Sequence, residues 1–476
     1  MRNSVSIKMT SLGILGFVLT NCSIGKTKVS ERPNIIFICT DQQCETMMSC
    51  AGNKWLKTPA MDYIAQNGIR FTRAYATNPV CSPSRVSLMT GRFPSIFNDK
   101  TGNPVKENVG SMTIPVISEE VRNTTIASYL KAAGYQLIYG GKEHLPKPLS
   151  PDSLGFHNIT KDERDKLAVE AARFIMSKPQ EPYFMVISFI NPHDICYMAI
   201  RDNCGEQEKK TLKNAKTELE SLDKALKIPE GVSEEEFFAH YCPPLPPNFE
   251  PEVDEPKAVT WRINQRFFQK NAREKYSEKD WRRHRWAYCR LTEAVDKQIQ
   301  IVLDALKESG QEENTLILFS SDHGDMDASH RLEHKSLLYE EAINVPFMAM
   351  WKGHIVPGQT DSTHLISNGL DLLPTVCDFA GIKGNADLHG KSLRPLTENK
   401  NSDWRTNLGV ESEVGKMVIN SDGLKYIRYN VVGVEENLFD LKKDPYETVH
   451  CTNDVKYASK LEEMRKIYDQ EWFPEK

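Results

Sequence analysis

The chain has 476 residues, with 60 Lys and Arg against 65 Asp and Glu and a formal net charge of -5. That length allows a large buried core and suggests two or three domains. The mildly acidic balance supplies no global positive field to collect phosphates, which excludes nucleic acid as a general partner.

Residues 1–22 read as a lipoprotein-like signal peptide: Arg2 and Lys8, then the apolar run from Leu12 to Leu19. The run is too short to span a bilayer. Leu19-Thr20-Asn21-Cys22 resembles a bacterial lipobox, with Asn21 bulkier than the small residue usual there. An exported protein is expected, in the periplasm or at the cell surface, meeting the membrane only through a lipid anchor at Cys22. The 11 cysteines show no paired metal spacing. Export permits disulfides, yet most of these cysteines are expected to be buried small hydrophobes.

Beyond Pro33, the continuous apolar run Asn34 to Thr40 has the pattern of a strand buried on both faces, and it ends in Asp41-Gln42. Thr58 and Pro59 open a helix that Gly68 stops. A helix from Thr125 to Gly134 leads into a strand at Tyr135 to Tyr139, followed by Gly140-Gly141-Lys142-Glu143-His144. A helix at Lys166 to Met176 precedes a buried strand at Tyr183 to Ile190, which ends in Asn191-Pro192-His193-Asp194. From about 201 to 290 the composition changes to a polar, helical insertion without a sheet strand. Its last part, Arg262 to Arg290, is basic and aromatic and reads either as a solvated helix pair or as a surface for an anionic polymer. A helix at Leu291 to Leu306 and a strand at Thr315 to Ser320 follow, then Ser321-Asp322-His323-Gly324-Asp325, Lys335 and a strand at Val345 to Trp351. The domain reading is a catalytic α/β domain over 33–384 and a smaller α+β subdomain over 385–476 with an antiparallel sheet and a final helix at Ala458 to Tyr468.

Cys81-Ser82-Pro83-Ser84-Arg85 is the densest chemistry in the chain, and it runs on to a helix stop at Gly91. A nucleophile at a helix start meets unpaired backbone N–H groups and a positive dipole end, which favour anions. Arg85 lies over the same first turn and can fork onto an oxyanion. Taken alone, the stretch also fits a buried Cys followed by an ordinary Arg.

The strand ends decide between these readings. Four apolar strands finish in Asp41 and Gln42, Lys142 and His144, His193, and Asp322 and His323. In a mostly parallel open sheet those ends share one edge, where ligands bind. Asp41, Gln42 and Asp322 offer hard oxygens suited to a divalent cation such as Ca²⁺, with His323 a fourth candidate. Arg85, Lys142, His144, His193 and Lys335 then face the same place, which implies a sulfate or phosphate centre. His330-Arg331-Leu332-Glu333-His334 matches the inverted zinc-protease pattern, but it lacks the long helix that pattern needs. Supporting or substrate-facing roles are expected for its two His.

With these motifs in order, the sequence resembles the formylglycine-dependent, type I sulfatases of the alkaline phosphatase superfamily. Cys81-Ser82-Pro83-Ser84-Arg85 with Leu88, Thr90, Gly91 and Arg92 matches the family signature; Gly141-Lys142-Glu143-His144, Pro192-His193 and Ser321-Asp322-His323-Gly324-Asp325 match further motifs, and Leu438-Phe439-Asp440-Leu441 with Asp444-Pro445 resembles its C-terminal segment. Gln42 and His323 depart from the family pattern, which often has Asp and Asn there. The resemblance implies an alkaline-phosphatase-like, mostly parallel sheet sandwiched by helices. It also implies one Ca²⁺-type cation on Asp41, Gln42, Asp322, His323 and residue 81, and a maturating enzyme that oxidises Cys81 to formylglycine. The implied chemistry is attack on sulfur by a hydroxyl of the aldehyde hydrate. His193, backed by Lys335, protonates the leaving oxygen; His144 takes the proton for sulfate elimination, and Arg85 and Lys142 hold the oxygens.

The expected activity is that of an exported carbohydrate sulfatase acting on sulfated oligosaccharides of glycosaminoglycan type, with a uronate 2-O-sulfate foremost. Two alternatives stand beside it: a phosphate or phosphonate monoester hydrolase of the same superfamily, and a catalytically silent binder of sulfated glycans.

Overall fold

The apolar runs become the middle of an eight-stranded sheet in a computed structural model of the chain, which describes Met1 and residues 32–97, 117–384, 388–400 and 402–472. Apart from Met1, the expected export signal, Cys22 included, falls outside the described residues. In chain order the strands of the body are Asn34–Asp41 (β1), Ile69–Phe71 (β2), Ala74–Tyr75 (β3), Gln136–Gly141 (β4), His157–Thr160 (β5), Tyr183–Pro192 (β6), Thr315–Ser321 (β7), Phe347–Met350 (β8), Gln359–Asp361 (β9) and Ile366–Ser367 (β10). The main sheet runs β5-β4-β6-β1-β7-β8-β2-β9, with β3 and β10 forming a separate two-stranded ladder. From β5 to β7 all neighbours are parallel. β8 lies antiparallel to both β7 and β2.

Alternation along the central strands divides the core into two layers. Ile35, Phe37, Leu316, Leu318 and Val186 face one side, against the helices Ile126–Ala132 and Asn368–Phe379. Ile36, Ile38, Ile317, Phe319 and Ile187 face the other, against Pro59–Gln66, Leu167–Met176 and the long helix Glu278–Ser309. Strands covered on both faces lose the polar alternation of a surface sheet, which is why they read as unbroken apolar runs.

The C-terminal part is a four-stranded antiparallel sheet of Asn407–Ser412 (β11), Gly415–Asn420 (β12), Leu424–Tyr429 (β13) and Glu435–Asp440 (β14). Val410, Met417, Ile419 and Ile427 pack toward the body, while Val418, Tyr426 and Leu438 are covered by Leu461, Met464 and Tyr468 of the final helix, Ala458–Trp472. Glu411 on β11 is buried; Ser95 N–H donates to its Oε1 at 2.7 Å, while its Oε2 accepts no hydrogen bond and faces Lys416 Nζ only at 4.0 Å. Burial pushes its carboxyl from 4.5 up to about 7, against the pull of the Ser95 hydrogen bond and Lys416. The fold therefore favours the protonated acid, so this group's contribution is fully present below about pH 4.5 and lost as pH rises through 7. Glu411→Gln is expected to stabilise the protein by about 2–3 kcal/mol at pH 8 and by less than about 1 kcal/mol at pH 5, read by thermal melts at the two pH values.

Several elements differ from the sequence reading. The helix expected to start at Leu291 starts at Glu278, because Ser277 and Asp280 form a reciprocal capping box, and it continues for 32 residues. Trp281 and Trp286 within it are buried, at 1% and 4% exposure, so they serve the core and not a polymer-binding surface. The short strands β2, β5 and β9 carry too few residues to show a pattern. All described cysteines are free thiols. No described helix is long and apolar enough to cross a membrane.

Candidate active site

β4, β6, β1 and β7 are adjacent and parallel, so the residues that follow their carboxyl ends converge. Cys81 meets them from the first residue of the helix Cys81–Thr90. That helix lies close against Asn368–Phe379 because Gly369 sits at the crossing: a Cβ there would come within 2.6 Å of Ser87 Cβ. The Cys81 Sγ lies 2.9 Å from Lys335 Nζ, 3.1 Å from His323 Nε2, 3.7 Å from Asp41 Oδ1 and 4.0 Å from Lys142 Nζ. His144 also hydrogen-bonds it. Burial raises the thiol's pKa, but Lys142, Lys335 and His323 outweigh it and hold the group well below its ordinary value.

Arg85 is the hub of the charge network. Its Nε donates to Asp322 Oδ2 at 2.8 Å, Nη2 to Asp41 Oδ2 at 3.0 Å, and Nη1 to Ser188 Oγ at 2.7 Å. Lys142 forms a second ion pair with Asp41. Burial works to raise the Asp41 pKa, but the cations around it, Lys142 foremost, prevail and keep it ionised. Burial and the facing Asp41 push Asp322 upward. Burial lowers and Asp322 raises His323, with a net rise.

Donor atoms of Asp41, Cys81, Asp322 and His323 lie within 4.8 Å of one another and all four residues are buried. Two carboxylates turned toward one buried point fit a divalent cation, because a cation there relieves their mutual repulsion. Gln42, grouped with the ligands by its position after β1, has both ends of its side chain engaged. Its Oε1 accepts from Lys335 Nζ at 2.9 Å and from the Cys196 thiol at 3.0 Å, and its Nε2 donates to Asp325 Oδ2 at 2.5 Å. Its backbone N–H donates to Asp322 Oδ1 at 3.1 Å.

A cavity of about 300 Å³ opens on Cys81, with His144, His193 and Lys335 on its floor. Burial, reinforced by Lys142 and Lys335, lowers the His193 imidazole to about 4, and its Nδ1 has no hydrogen-bond partner. Tyr197, Arg262, Arg266, Phe268, Gln269 and His334 supply the outer wall; of these, the sequence assigns His334 a supporting or substrate-facing role but does not single out Tyr197, Arg262, Arg266 or Gln269. The basic, aromatic composition after Trp261 was the available signal; which of its residues turn inward is a property of packing. His330 and His334 do not converge. His330 stacks on Tyr339 at 4.2 Å, while His334 bonds Glu333 and lies 4.9 Å from the Phe268 ring.

A cavity at the carboxyl edge of this sheet that combines Lys142, Lys335 and two His with two buried carboxylates fitted to a cation has the groups that hydrolysis of an anionic ester needs. The family model described as Sulfatase matches residues 33–382, and a second, described as N-sulphoglucosamine sulphohydrolase, C-terminal, matches residues 328–471. The chain belongs to the sulfatase family, as a type I member of the alkaline phosphatase superfamily, and is a sulfuric ester hydrolase. It is 28% identical to a Delta 4,5-hexuronate-2-O-sulfatase of Bacteroides thetaiotaomicron, over 93% of this chain and 89% of that protein. An N-acetylglucosamine-6-O-sulfatase of the same organism is 27% identical, over 99% and 91%. A solved structure described as a 2-O GAG sulfatase superposes with a TM-score of 0.75 at 27% identity, covering 93% of this chain and 92% of that one.

Proposed function

We propose that the chain is an exported carbohydrate sulfatase that removes sulfate from glycosaminoglycan-type oligosaccharides, with a uronate 2-O-sulfate the favoured ester. The observation that carries this reading is the cavity itself: a partly open recess onto residue 81, with Lys335 and two His at its floor and walled by mixed polar and aromatic side chains. The relatives named as hexuronate-2-O- and N-acetylglucosamine-6-O-sulfatases support the sugar class. The signal-like residues 1–22 support export to the periplasm or cell surface with lipid on Cys22.

Asp41, Asp322, His323 and residue 81 are the residues that would hold the cation, and the hard carboxylate oxygens favour Ca²⁺. With that cation bound and Cys81 oxidised to formylglycine by a maturating enzyme, the site gains a Lewis acid and a hydrated-aldehyde nucleophile for sulfur. The chain's own side chains do the rest. Arg85 fixes the two carboxylates, and Lys142 and Lys335 offer ammonium groups to sulfate oxygens beside residue 81. His193 stands as the proton donor to the leaving sugar oxygen, assisted by Lys335, and His144 as the base toward residue 81. Burial first, then Lys142 and Lys335, lower the His193 imidazole in the free enzyme, and the negative charge of a sulfate ester beside it counters the part that the cations contribute.

Sulfate release from a set of defined sulfated disaccharides tests the reading, with nitrophenyl phosphate as the rival substrate. Faster release from 2-O-sulfated uronates than from 6-O-sulfated glucosamines, absent in Cys81→Ala, is expected. Preferred phosphate hydrolysis, or no sulfate from any disaccharide, would overturn it.

A further inference from the structure

The outer wall of the cavity carries two arginines that are bonded very differently. Arg262, 7% exposed, is fully committed: it pairs with Glu413, and its Nη1 and Nη2 donate to Gln269 Oε1 and Ser336 Oγ, each at 3.1 Å. It is a strut that ties the helices Lys257–Asn264 and Phe267–Lys275 to the body. Arg266, four residues on, immediately precedes Phe267–Lys275; it is exposed on the same wall, and its guanidinium has no hydrogen-bond or ion-pair partner among the described residues. The acids nearby are engaged elsewhere. Glu413 is taken by Arg262, and Glu208 accepts from the Gly205 N–H at 3.0 Å to cap its helix. The charge of Arg266 also reaches inward, adding to burial, Lys335 and Arg262 in holding the His334 imidazole down.

If the floor takes the sulfate group as proposed above, an arginine left open on the wall leaves room for a second anionic group. We infer that Arg266 recognises a planar carboxylate on the sugar that carries the sulfate ester, so that it selects uronates; this rests on the uronate reading above. A guanidinium presents two parallel N–H donors that match a carboxylate, and Arg266 lines the same cavity as Phe268 and the floor groups His144, His193 and Lys335. The cavity, at about 300 Å³, is at the small end of ligand sites and fits recognition centred on one sugar unit.

The test compares matured wild type with Arg266→Gln and Arg266→Lys on a 2-O-sulfated unsaturated uronate disaccharide, its carboxyl-reduced counterpart and a 6-O-sulfated glucosamine disaccharide. On the uronate, Arg266→Gln is expected to lower kcat/KM by about 10- to 100-fold, mainly through KM, the scale of a lost charge-assisted pair. Lysine restores part of the loss, and on the carboxyl-reduced substrate the loss shrinks to less than about threefold. An equal loss on all three substrates, or none on the uronate, overturns the role of Arg266 and leaves the functional reading standing. A wild-type enzyme that cleaves only the glucosamine substrate overturns the uronate reading and this inference together.

Discussion

Arg85→Met is expected to destabilise the protein by about 3–5 kcal/mol and to abolish sulfate release. The size follows from where Arg85 sits. It is 3% exposed and forks onto two buried carboxylates at 2.8 and 3.0 Å. Removing one partner of a buried ion pair leaves the other charge without solvent or counterion, which costs far more than the pair itself contributes. Lys142 still pairs with Asp41 in the variant, so Asp322 bears most of the loss. Arg85→Lys keeps the charge but cannot span both carboxylates and Ser188 at once, so an intermediate melting temperature and a large loss of kcat are expected. Thermal melts and sulfate release on both variants check this. An Arg85→Met protein with wild-type melting temperature would mean that the carboxylates are compensated elsewhere.

The parts of this site that were legible in the sequence are those fixed by local chemistry. An apolar run long enough to be buried on both faces announces β1, β6 and β7, and a parallel sheet places whatever follows them on one edge. With the strand that follows the helix stop at Gly134 (β4), the same argument joins Asp41, Lys142, His193 and Asp322 on one edge. Gln42 shows the limit of the same argument. It follows Asp41 in sequence, but its side chain bridges Lys335 and Asp325, a pairing across nearly three hundred residues that spacing does not encode. The outer wall was equally hidden. Arg262 lies in the helix Lys257–Asn264 and Arg266 in the short connection to Phe267–Lys275, within one basic stretch, and only tertiary packing makes one a strut and the other an open charge. The capping box at Ser277 was present in the sequence as Ser277-Glu278-Lys279-Asp280, and the long helix was readable from it.

Cys81→Ala is expected to remove at least about 10³-fold of kcat while leaving the fold in place, because loss of a nucleophile's atoms removes a covalent route that the remaining groups cannot supply. The neighbours of residue 81 keep other partners: Lys335 bonds Gln42, and Lys142 pairs with Asp41. The melting temperature is therefore expected to move little compared with Arg85→Met, and a matching collapse in stability would mark Cys81 as a structural thiol.

The most direct measurement is mass spectrometry of the peptide that contains residue 81, taken from fully active enzyme. The account predicts a peptide lighter than the encoded one by the difference between cysteine and formylglycine, in proportion to specific activity. Full activity from protein whose residue 81 is an unmodified thiol would contradict it.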